Sequence, residues 1–337
     1  MLTWIFHQIE HVTQLQYAML HLIMARGCGG SMEEIIHHLR VKVEELLNAR
    51  VDEINKIDNV PNNSVYKVIV SDKPYIFKRY RQRNWPEDGK LMFVHHKLME
   101  HQIGCAKIIA FDRNDSYFQT GFLLEECLPG VNADHAAFDE EFGKEFYGKL
   151  ARLISNIHEI PIENYGYIGA GIADYTSFIE FIQDKYDEIA NGLITKKLFD
   201  QNHLLEIKKM VIDKLRSCDS LPSVLCHGDL STKNVIINEA GNLTLIDWDD
   251  AMSYNWLADL SRMTYWMKFK YNQHEYELYR NIVLEHYSTV HAKSDFEVYE
   301  NTFHVWIGLD HLNYNANAPQ YQDMLTYFNE TVERLGK

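Results

Sequence analysis

The order of strand-like and helix-like segments is the feature of this chain that most restricts its fold. Residues 65–70 (VYKVIV) and 75–80 (YIFKRY) are short and rich in β-branched and aromatic side chains, and the turn-like SDKP separates them, so they predict a β-hairpin. From about Asp134 onward, apolar residues recur at helical spacing, interrupted by one predicted pair of strands around residues 224–247. The chain therefore predicts an α+β fold in which a small antiparallel sheet precedes a larger, mainly helical part.

Shorter signals complete the N-terminal part. Ser31 followed by Glu34 forms a capping-box pattern, which predicts the start of a helix that continues to Leu47. A further helix is predicted over residues 90–102, and two further strands are predicted in the segments AKIIAFD and TGFLLEECL. We therefore expect a small sheet with one helix before the helical part.

Residues 1–24 are rich in apolar side chains but differ from a membrane anchor or a signal peptide. Histidines, glutamines and a glutamate interrupt the segment too often for either. Its apolar residues fall on one face at helical spacing, so we expect an amphipathic helix that packs on the body of the protein or on a partner. No membrane association is predicted.

The charge of the chain excludes one class of partner. There are 33 Lys and Arg residues against 48 Asp and Glu residues, a formal net charge of −15, and the basic surface that nucleic-acid binding requires is therefore not expected. The same charge is compatible with a cationic ligand. Five cysteines without a CxxC pair indicate neither a disulfide framework nor a thiolate zinc site, which fits a reducing cytoplasm.

One segment, residues 223–251, concentrates polar side chains around short apolar strands; it reads SVLCHGDLSTKNVIINEAGNLTLIDWDDA. Asp229 and Asn234 share one loop, and Asp247 stands at the end of the next strand, after a predicted turn at Gly241-Asn242. A kinase reaction needs such a set, because one Asp accepts the hydroxyl proton while an Asn and a second Asp hold Mg²⁺ against the phosphates. The segment therefore predicts a phosphoryl-transfer site, a reaction that depends mainly on positioning.

The motifs HGDLSTKN and LIDWDDA resemble the aminoglycoside phosphotransferase family, which includes choline-kinase-like and other small-molecule kinases. Glycine in place of the arginine of protein kinases, and IDW in place of DFG, point to this branch. The resemblance covers roughly residues 31–330 and implies a two-lobed protein-kinase-like fold. It also implies that Asp229 is the catalytic base and that Asn234 and Asp247 are Mg²⁺ ligands. His227 and Asp259 would brace the loop.

The same resemblance divides the chain into three expected regions. These are an N-terminal helical extension (1–30), a nucleotide-binding lobe that contains the sheet (31–128), and a helical lobe with the catalytic loop and the substrate site (129–337).

The nucleotide site can be matched more loosely. PYIFKRY resembles the strand that carries the phosphate-binding lysine, which makes Lys78 the candidate and leaves Arg79 and Arg81 as alternatives. The preceding segment NVPNNSVYK contains no glycine, so its asparagines and Ser64 would form the turn at the phosphates. We therefore assign Lys78 and Ser64 to nucleotide binding.

Two further features concern the nucleotide. FLLEECLPG resembles the segment between the lobes, where backbone groups of Glu126 and Leu128 would bond the adenine edge. The helix expected to supply a glutamate partner for the phosphate-binding lysine has no acid at the early position. Glu87, Asp88 or a histidine are the alternative partners.

Acidic side chains are the candidates for binding a cationic substrate, since carboxylates form charge-assisted hydrogen bonds to ammonium groups. Asp249 and Asp250 follow Asp247 directly, and Asp310 lies in VWIGLDHLNYN, which resembles a stretch of hygromycin B phosphotransferases. A predicted helix adds four acids on its polar side, for which an ordinary solvated face is the alternative: Glu180, Asp184, Asp187 and Glu188.

These observations predict an Mg²⁺-dependent O-phosphotransferase that moves the γ-phosphate of ATP or GTP to a hydroxyl of a small, cationic molecule, with an aminoglycoside-type antibiotic favoured. A metabolic kinase for an amino alcohol, sugar or amino acid is the alternative, since aromatic residues of the C-terminal half could form a cation–π cage. A catalytically silent binding protein on the same scaffold is a further alternative, which the intact Asp229, Asn234 and Asp247 argue against.

Overall fold

A computed structural model describes the chain over most of its length. The described residues are 31–57, 63–169, 171–287, 293–316 and 318–336. The predicted N-terminal helix, the expected region 1–30 and most of the glycine-free turn before the hairpin lie outside these residues.

The chain divides into two compact units. The first unit runs up to Asn84 and resumes over Ala106–Cys127, and the second consists of Trp85–Cys105 and the chain from Leu128 onward. The sequence-based division assigned residues 85–105 to the nucleotide-binding lobe, whereas the structure groups them with the helical part. The physical reason is burial, because Lys90 at the start of the helix in this segment is fully buried and donates to the backbone of Asp249.

The first unit is a five-stranded antiparallel sheet with one helix. Its strands are ordered β1-β2-β3-β5-β4, and the predicted hairpin is confirmed by the pairing of β2 with β3 across Ser71 and Asp72, which both have positive φ. One strand was not predicted, since five of its seven residues are exposed and show no alternation. The elements are α1 (Met32–Leu47), β1 (Val51–Ile57), β2 (Ser64–Val70), β3 (Lys73–Arg79), β4 (Ile108–Asp112) and β5 (Phe122–Glu126).

Helix α1 packs one face against this sheet. Leu39 and Val43 are completely buried and belong to one apolar cluster with residues of β2, β3 and β5, among them Phe77. The helix begins as predicted, with the Ser31 hydroxyl accepting from the Glu34 N–H and the Glu34 carboxylate accepting from the Ser31 N–H. The capping box therefore fixes where the helix starts, and its apolar stripe fixes which face is buried.

The second unit is mainly helical. Its helices in the described residues are α2 (Lys90–Glu100), α3 (Glu140–Ile157), α4 (Phe178–Thr195), α5 (Gln201–Leu215), α6 (Trp256–Lys270), α7 (Gln273–His286), α8 (Lys293–Tyr314) and α9 (Tyr321–Leu335). None of the helices in the described parts of the chain has a stretch long and apolar enough to cross a membrane.

Short strands in the second unit form two small sheets, where the sequence predicted a single pair. Their orders are β10-β9-β6 and β7-β11-β8. No strand in them exceeds three residues, so most were too short to show a periodicity of two. The strands are β6 (Val131–Asn132), β7 (Gly166–Tyr167), β8 (Val224–Cys226), β9 (Val235–Ile237), β10 (Leu243–Leu245) and β11 (Met252–Tyr254).

A buried hydrogen-bond network joins helices α6, α8 and α9 around His304. The Nε2 atom of His304 lies 3.1 Å from the carbonyl oxygen of Ser261 and 2.9 Å from the Thr264 hydroxyl, and the Tyr327 hydroxyl lies 2.6 Å from Nδ1. A neutral ring with its proton on Nε2 satisfies these contacts. Burial lowers the pKa of His304 to about 4, so the ring stays neutral in the folded protein at neutral pH.

Acid should therefore destabilise the protein partly through His304. The unfolded chain protonates this ring near pH 6.5 and the folded chain only near pH 4, so the free energy of unfolding should fall by about 3 kcal/mol between these values and then level off. Urea unfolding of wild type and His304→Gln measures this. The variant should lose less stability per pH unit in this window, and equal slopes would contradict the prediction.

Candidate active site

Two loops of the second unit carry the predicted site, and each is anchored at both ends. The first loop, 227–234, connects β8 to β9, and the second, 246–251, connects β10 to β11. Strand β8 pairs with β11 at one end of both loops, and β9 pairs with β10 at the other end. The Ile246 N–H also donates to the Asn234 carbonyl oxygen at 2.9 Å. The pairings therefore hold the two loops side by side.

A buried carboxylate on α6 fixes the start of the first loop. Asp259 accepts hydrogen bonds from the backbone N–H groups of His227 at 2.8 Å and Gly228 at 3.0 Å. His158 Nε2 lies 3.2 Å from the same carboxylate, and His158 Nδ1 lies 2.6 Å from the Tyr287 hydroxyl. Burial alone would raise the pKa of Asp259, but these hydrogen bonds and the nearby imidazoles hold it below its usual value. The carboxylate is therefore ionised at neutral pH.

His227 links the two loops. Its Nε2 lies 2.9 Å from the Ile246 carbonyl oxygen, and its Nδ1 accepts from the Asp229 N–H at 3.3 Å. The ring is completely buried and lies against Trp248, with ring centroids 4.6 Å apart. The two nitrogens serve opposite roles, so a single neutral tautomer satisfies both hydrogen bonds.

Asp229 is oriented by its neighbours on the first loop. The amide nitrogen of Asn234 donates to the Asp229 carbonyl oxygen at 2.7 Å and to its carboxylate at 3.1 Å. Lys233 Nζ lies 2.9 Å from the same carboxylate oxygen. The Asp229 side chain is 17% exposed and that of Lys233 is 55% exposed, so the carboxylate faces a region that solvent reaches.

Asp247 is the second residue of the second loop. It has a left-handed backbone conformation, with φ 64° and ψ 62°. Asp249 and Asp250 follow in a short 3₁₀ turn. Burial, followed by the charges of Asp229, Asp247 and Asp249, raises the pKa of Asp250 to about 7. The carboxylates of Asp229, Asp247 and Asp249 therefore lie near enough to Asp250 for their charges to act on it where the two loops meet.

Oxygen atoms suited to a divalent cation occur among these residues. The side-chain oxygen of Asn234 accepts no hydrogen bond from the described residues, because the amide nitrogen makes the contacts to Asp229. Carboxylate and amide oxygens are the ligands that Mg²⁺ takes in proteins. The donor set of Asp247 and Asn234, with the further carboxylates whose charges act on Asp250, fits that metal.

A buried lysine supports the second loop from the segment 85–105. Lys90 Nζ donates to the Asp249 carbonyl oxygen at 3.1 Å and lies 4.2 Å from the centre of the Trp85 ring. Glu87, one of the acids considered as a partner for Lys78, forms an ion pair with Lys90. Burial lowers the pKa of Lys90, although the Glu87 charge opposes this shift. No signal in the sequence indicated that Lys90 supports the second loop.

The residues predicted to bind nucleotide lie mainly in the first unit. Lys78, in β3, is only 6% exposed, and the neighbouring Phe77 points into the apolar core. Ser64 is the first residue of β2 and pairs with Arg79. The Glu126 N–H donates to the Lys107 carbonyl oxygen at 2.9 Å, so this N–H is not available to a nucleotide. Leu128 begins the main part of the second unit.

A cavity in the second unit adjoins the first loop at Gly228. About 610 Å³ of space, part of it open to solvent, lies among its lining residues. Of the acids predicted for substrate, Asp310 lines it, as does Glu188. Glu180 is exposed in the first turn of α4 and Asp184 accepts from the Tyr175 hydroxyl at 2.5 Å, and neither lines the cavity.

The cavity also contains Tyr254 and Trp306, which belong to the C-terminal aromatic residues considered for a cation–π cage, together with residues that the sequence did not indicate. Its aromatic walls include Tyr167, Phe181, Tyr254, Trp306 and Tyr314, and its two cations are Lys185 and Arg262. Arg262 follows Asp259 by one turn of α6, a spacing that places both on one helix face. This spacing from a loop-bracing Asp is the one signal in the sequence that could have indicated Arg262.

Comparisons with known proteins agree with this geometry. The model of the phosphotransferase enzyme family (APH) matches residues 54–288. No curated protein sequence matches the chain. Among solved structures, aminoglycoside phosphotransferase APH(4)-Ia is 14% identical with a TM-score of 0.65, and the alignment covers 89% of this chain and 98% of that one. Choline kinase LicA from Streptococcus pneumoniae is 18% identical with a TM-score of 0.61, covering 91% and 99%.

The fold and the site thus define a kinase-like phosphotransferase. Because the family model spans more than half of the chain, the chain belongs to the phosphotransferase enzyme family. The predicted enzyme class, a phosphotransferase with an alcohol group as acceptor, is confirmed, and so is the predicted α+β protein-kinase-like fold with a small antiparallel sheet part and a larger helical part. At these identities the structural likenesses show the fold alone.

Gly228 packs closely against the backbone of the second loop at Asp250. Its φ is +79°, and a Cβ atom there would lie 1.9 Å from the Asp250 carbonyl oxygen. Gly228→Ala should therefore destabilise the protein by several kcal/mol and displace the second loop, since both backbone strain and a backbone clash oppose it. Urea unfolding and phosphotransfer assays measure the two effects.

Gly241→Ala is the matched control. Its φ of +73° carries the same left-handed strain, but the Cβ would meet only the flexible end of Lys149. We expect a loss of about 1 kcal/mol, the usual cost of a left-handed non-glycine residue. Equal losses in the two variants would mean that the contact between the loops is not tight.

Proposed function

We propose that this phosphotransferase moves the γ-phosphate of a nucleoside triphosphate, ATP or GTP, to a hydroxyl of a small molecule that carries at least one ammonium group, with Mg²⁺ as the required metal. The observation that carries the proposal is the convergence of Asp229, Asn234 and Asp247. Asn234 donates to the Asp229 carboxylate at 3.1 Å, and the charges of Asp229 and Asp247 both act on Asp250.

Asp229 is proposed as the general base. Its carboxylate accepts the proton of the acceptor hydroxyl while that oxygen forms a bond to the γ-phosphorus and the bond to the β-phosphate oxygen breaks. Asn234 and Lys233 hold the carboxylate in one orientation, which is what this reaction mainly requires of the protein. His227 and Asp259 support the loop through the hydrogen bonds described above and touch no reacting atom.

Asn234 and Asp247 are proposed as the Mg²⁺ ligands. When bound, this metal neutralises charge on the β- and γ-phosphates. The free side-chain oxygen of Asn234 and the surplus of carboxylates around Asp250 support the assignment. Asp249 has a structural role instead. Its backbone carbonyl oxygen accepts a hydrogen bond from Lys90, and the residue as a whole is only 4% exposed.

Nucleotide binding is proposed for Lys78, Ser64, the carbonyl oxygen of Glu126, whose N–H already donates to Lys107, and the backbone of Leu128. Burial of the Lys78 side chain on a strand, across from the apolar core, supports a specific role over that of a surface lysine. A thermostable mutant of aminoglycoside phosphotransferase APH(4)-Ia forms a ternary complex with AMP-PNP and hygromycin B, and choline kinase LicA forms a complex with AMP. These complexes support a nucleotide as the phosphate donor here.

Two acceptor classes fit the proposal. An aminoglycoside-type antibiotic is favoured by the sequence motifs and supported by the likeness in fold to APH(4)-Ia. A metabolite that carries an ammonium group is the second candidate, and a specific observation favours it. The cavity is lined by three acids, Glu188, Asp259 and Asp310, against two cations, Lys185 and Arg262, an excess that suits a single ammonium group better than a polycation.

A nucleotide-consumption screen tests the proposed function. ATP or GTP with Mg²⁺ should be consumed in the presence of one class among aminoglycosides, amino alcohols, amino sugars and hydroxy amino acids, with formation of a phosphorylated product. Asp229→Asn should reduce kcat by about 10²–10⁴-fold, the usual effect of losing a general base. Asp213→Asn, which removes an exposed acid on α5, should match wild type. Full activity of Asp229→Asn would contradict the assignment of Asp229 as the general base. The absence of turnover with every class of acceptor would contradict the proposed function.

Lys78 can be tested against another lysine of the same strand. Lys78→Met should raise the dissociation constant of the Mg-nucleotide at least about tenfold, because a phosphate-binding ammonium is lost. Lys73→Met, at the exposed start of β3, should leave it unchanged. Calorimetric titration provides the constants. A larger effect of Arg79→Met than of Lys78→Met would transfer the role to Arg79.

A further inference from the structure

The cavity beside Gly228 is lined by two cations, Lys185 and Arg262, and by three acids, Glu188, Asp259 and Asp310, so its acidic excess is small for a polycation. Lys185 pairs with Glu188 at 2.6 Å and lies 4.8 Å from the centre of the Tyr167 ring. Lys185 and Glu188 therefore form a close ion pair within the protein. Arg262 and Asp310 form no hydrogen bond to each other, because their nearest charged atoms are 4.0 Å apart, beyond hydrogen-bond distance.

Arg262 has unused hydrogen-bonding capacity in this cavity. Its side chain is 17% exposed. Within the described parts of the chain its guanidinium makes one hydrogen bond, a long one of 3.4 Å to His311 Nε2. A guanidinium has five N–H donors in a planar fork, and this one is partly open to the cavity. Its remaining donors can therefore bind a ligand in the cavity, and a planar oxyanion matches the fork.

The surroundings of Arg262 restrict the charge of that oxyanion. The carboxylates of Asp310, Asp229 and Asp250 all act on Arg262 and keep its pKa above the usual value despite burial. A dianionic phosphate group would be repelled by these carboxylates. A carboxylate on a molecule that also carries an ammonium group adds no net charge, and its ammonium group would meet Asp310, whose ion pair with Arg262 is a long one of 4.0 Å.

We propose that Arg262 determines acceptor specificity by binding the carboxylate of a zwitterionic acceptor, a small hydroxy amino acid or a molecule of that type, whose ammonium group binds Asp310. This inference rests on the proposed function and narrows its acceptor. Because Arg262 and Gly228, the residue before Asp229, line the same cavity, we expect a small acceptor that reaches from Arg262 to the first loop. Aromatic walls such as Tyr167 and Trp306 enclose its carbon chain.

Matched acceptor pairs test the proposal. Serine and homoserine are each compared with the molecule that lacks only the carboxylate, ethanolamine and 3-aminopropan-1-ol, in Mg-ATP turnover and in calorimetric binding without nucleotide. The wild-type enzyme should prefer the carboxylated member of a pair by about 10²-fold in kcat/KM and in affinity, as expected for a bidentate contact with arginine. Binding of neither amino acid, or equal binding within each pair, would overturn the proposal.

Variants assign the preference to Arg262. Arg262→Met should remove the preference mainly through a higher KM for the carboxylated acceptor, and Arg262→Lys should restore part of it. Lys185→Met, which removes the other cation of the cavity, should keep the preference. A structural role alone would lower the activity toward both members of a pair and leave their ratio unchanged, which would overturn the proposal.

The outcomes separate this inference from the proposed function. Nucleotide-dependent phosphorylation of an aminoglycoside or of choline, with no preference for a carboxylated acceptor, would support the proposed function and contradict the zwitterionic acceptor. Binding of homoserine that depends on Arg262, with no consumption of ATP or GTP in the presence of any acceptor, would support the binding site and contradict the proposed function.

Discussion

The hydrogen bonds that the buried Asp259 carboxylate accepts from two consecutive backbone N–H groups are the constraint on which the site depends. They fix His227 and Gly228 at the point where the chain leaves β8. His227 then transmits this position to the second loop through the Ile246 carbonyl oxygen. Since an unsatisfied buried carboxylate would cost several kcal/mol, the loop conformation and the ionisation of Asp259 stabilise each other. Positions of Asp229 and Asn234 follow from this anchor.

The site also shows how one fold concentrates negative charge without losing stability. Each carboxylate near the two loops has a separate form of compensation. Asp229 has Lys233 at 2.9 Å, Asp259 has backbone N–H groups and His158, and Asp250 shifts toward its neutral form. The acidic neighbours of Asp250 raise its pKa, and the proposed Mg²⁺ would supply positive charge at this place. The perturbed acid thus marks the functional region, as such acids often do.

Local signals in the sequence predicted much of this structure, and contacts between distant segments explain the rest. The spacing of Asp229, Asn234 and Asp247 predicted one shared site, because a hairpin between them leaves little freedom. The capping box at Ser31 predicted the start of α1. By contrast, His158 meets Asp259 across 101 residues and Lys90 meets Asp249 across 159. No periodicity indicates such contacts, which depend on how helices dock, and strands of two or three residues carry no periodic signal.

The position of helix α2 has a consequence for dissecting the protein. The chain passes from one compact unit to the other three times, after Asn84, after Cys105 and after Cys127. A fragment that begins at residue 129 would therefore lack Lys90 and expose the Asp249 carbonyl that this lysine covers. Separating the helical part intact would require retaining residues 85–105 and replacing 106–127 by a short linker. The boundary between the two units is thus a property of contacts, and no single cut in the chain reproduces it.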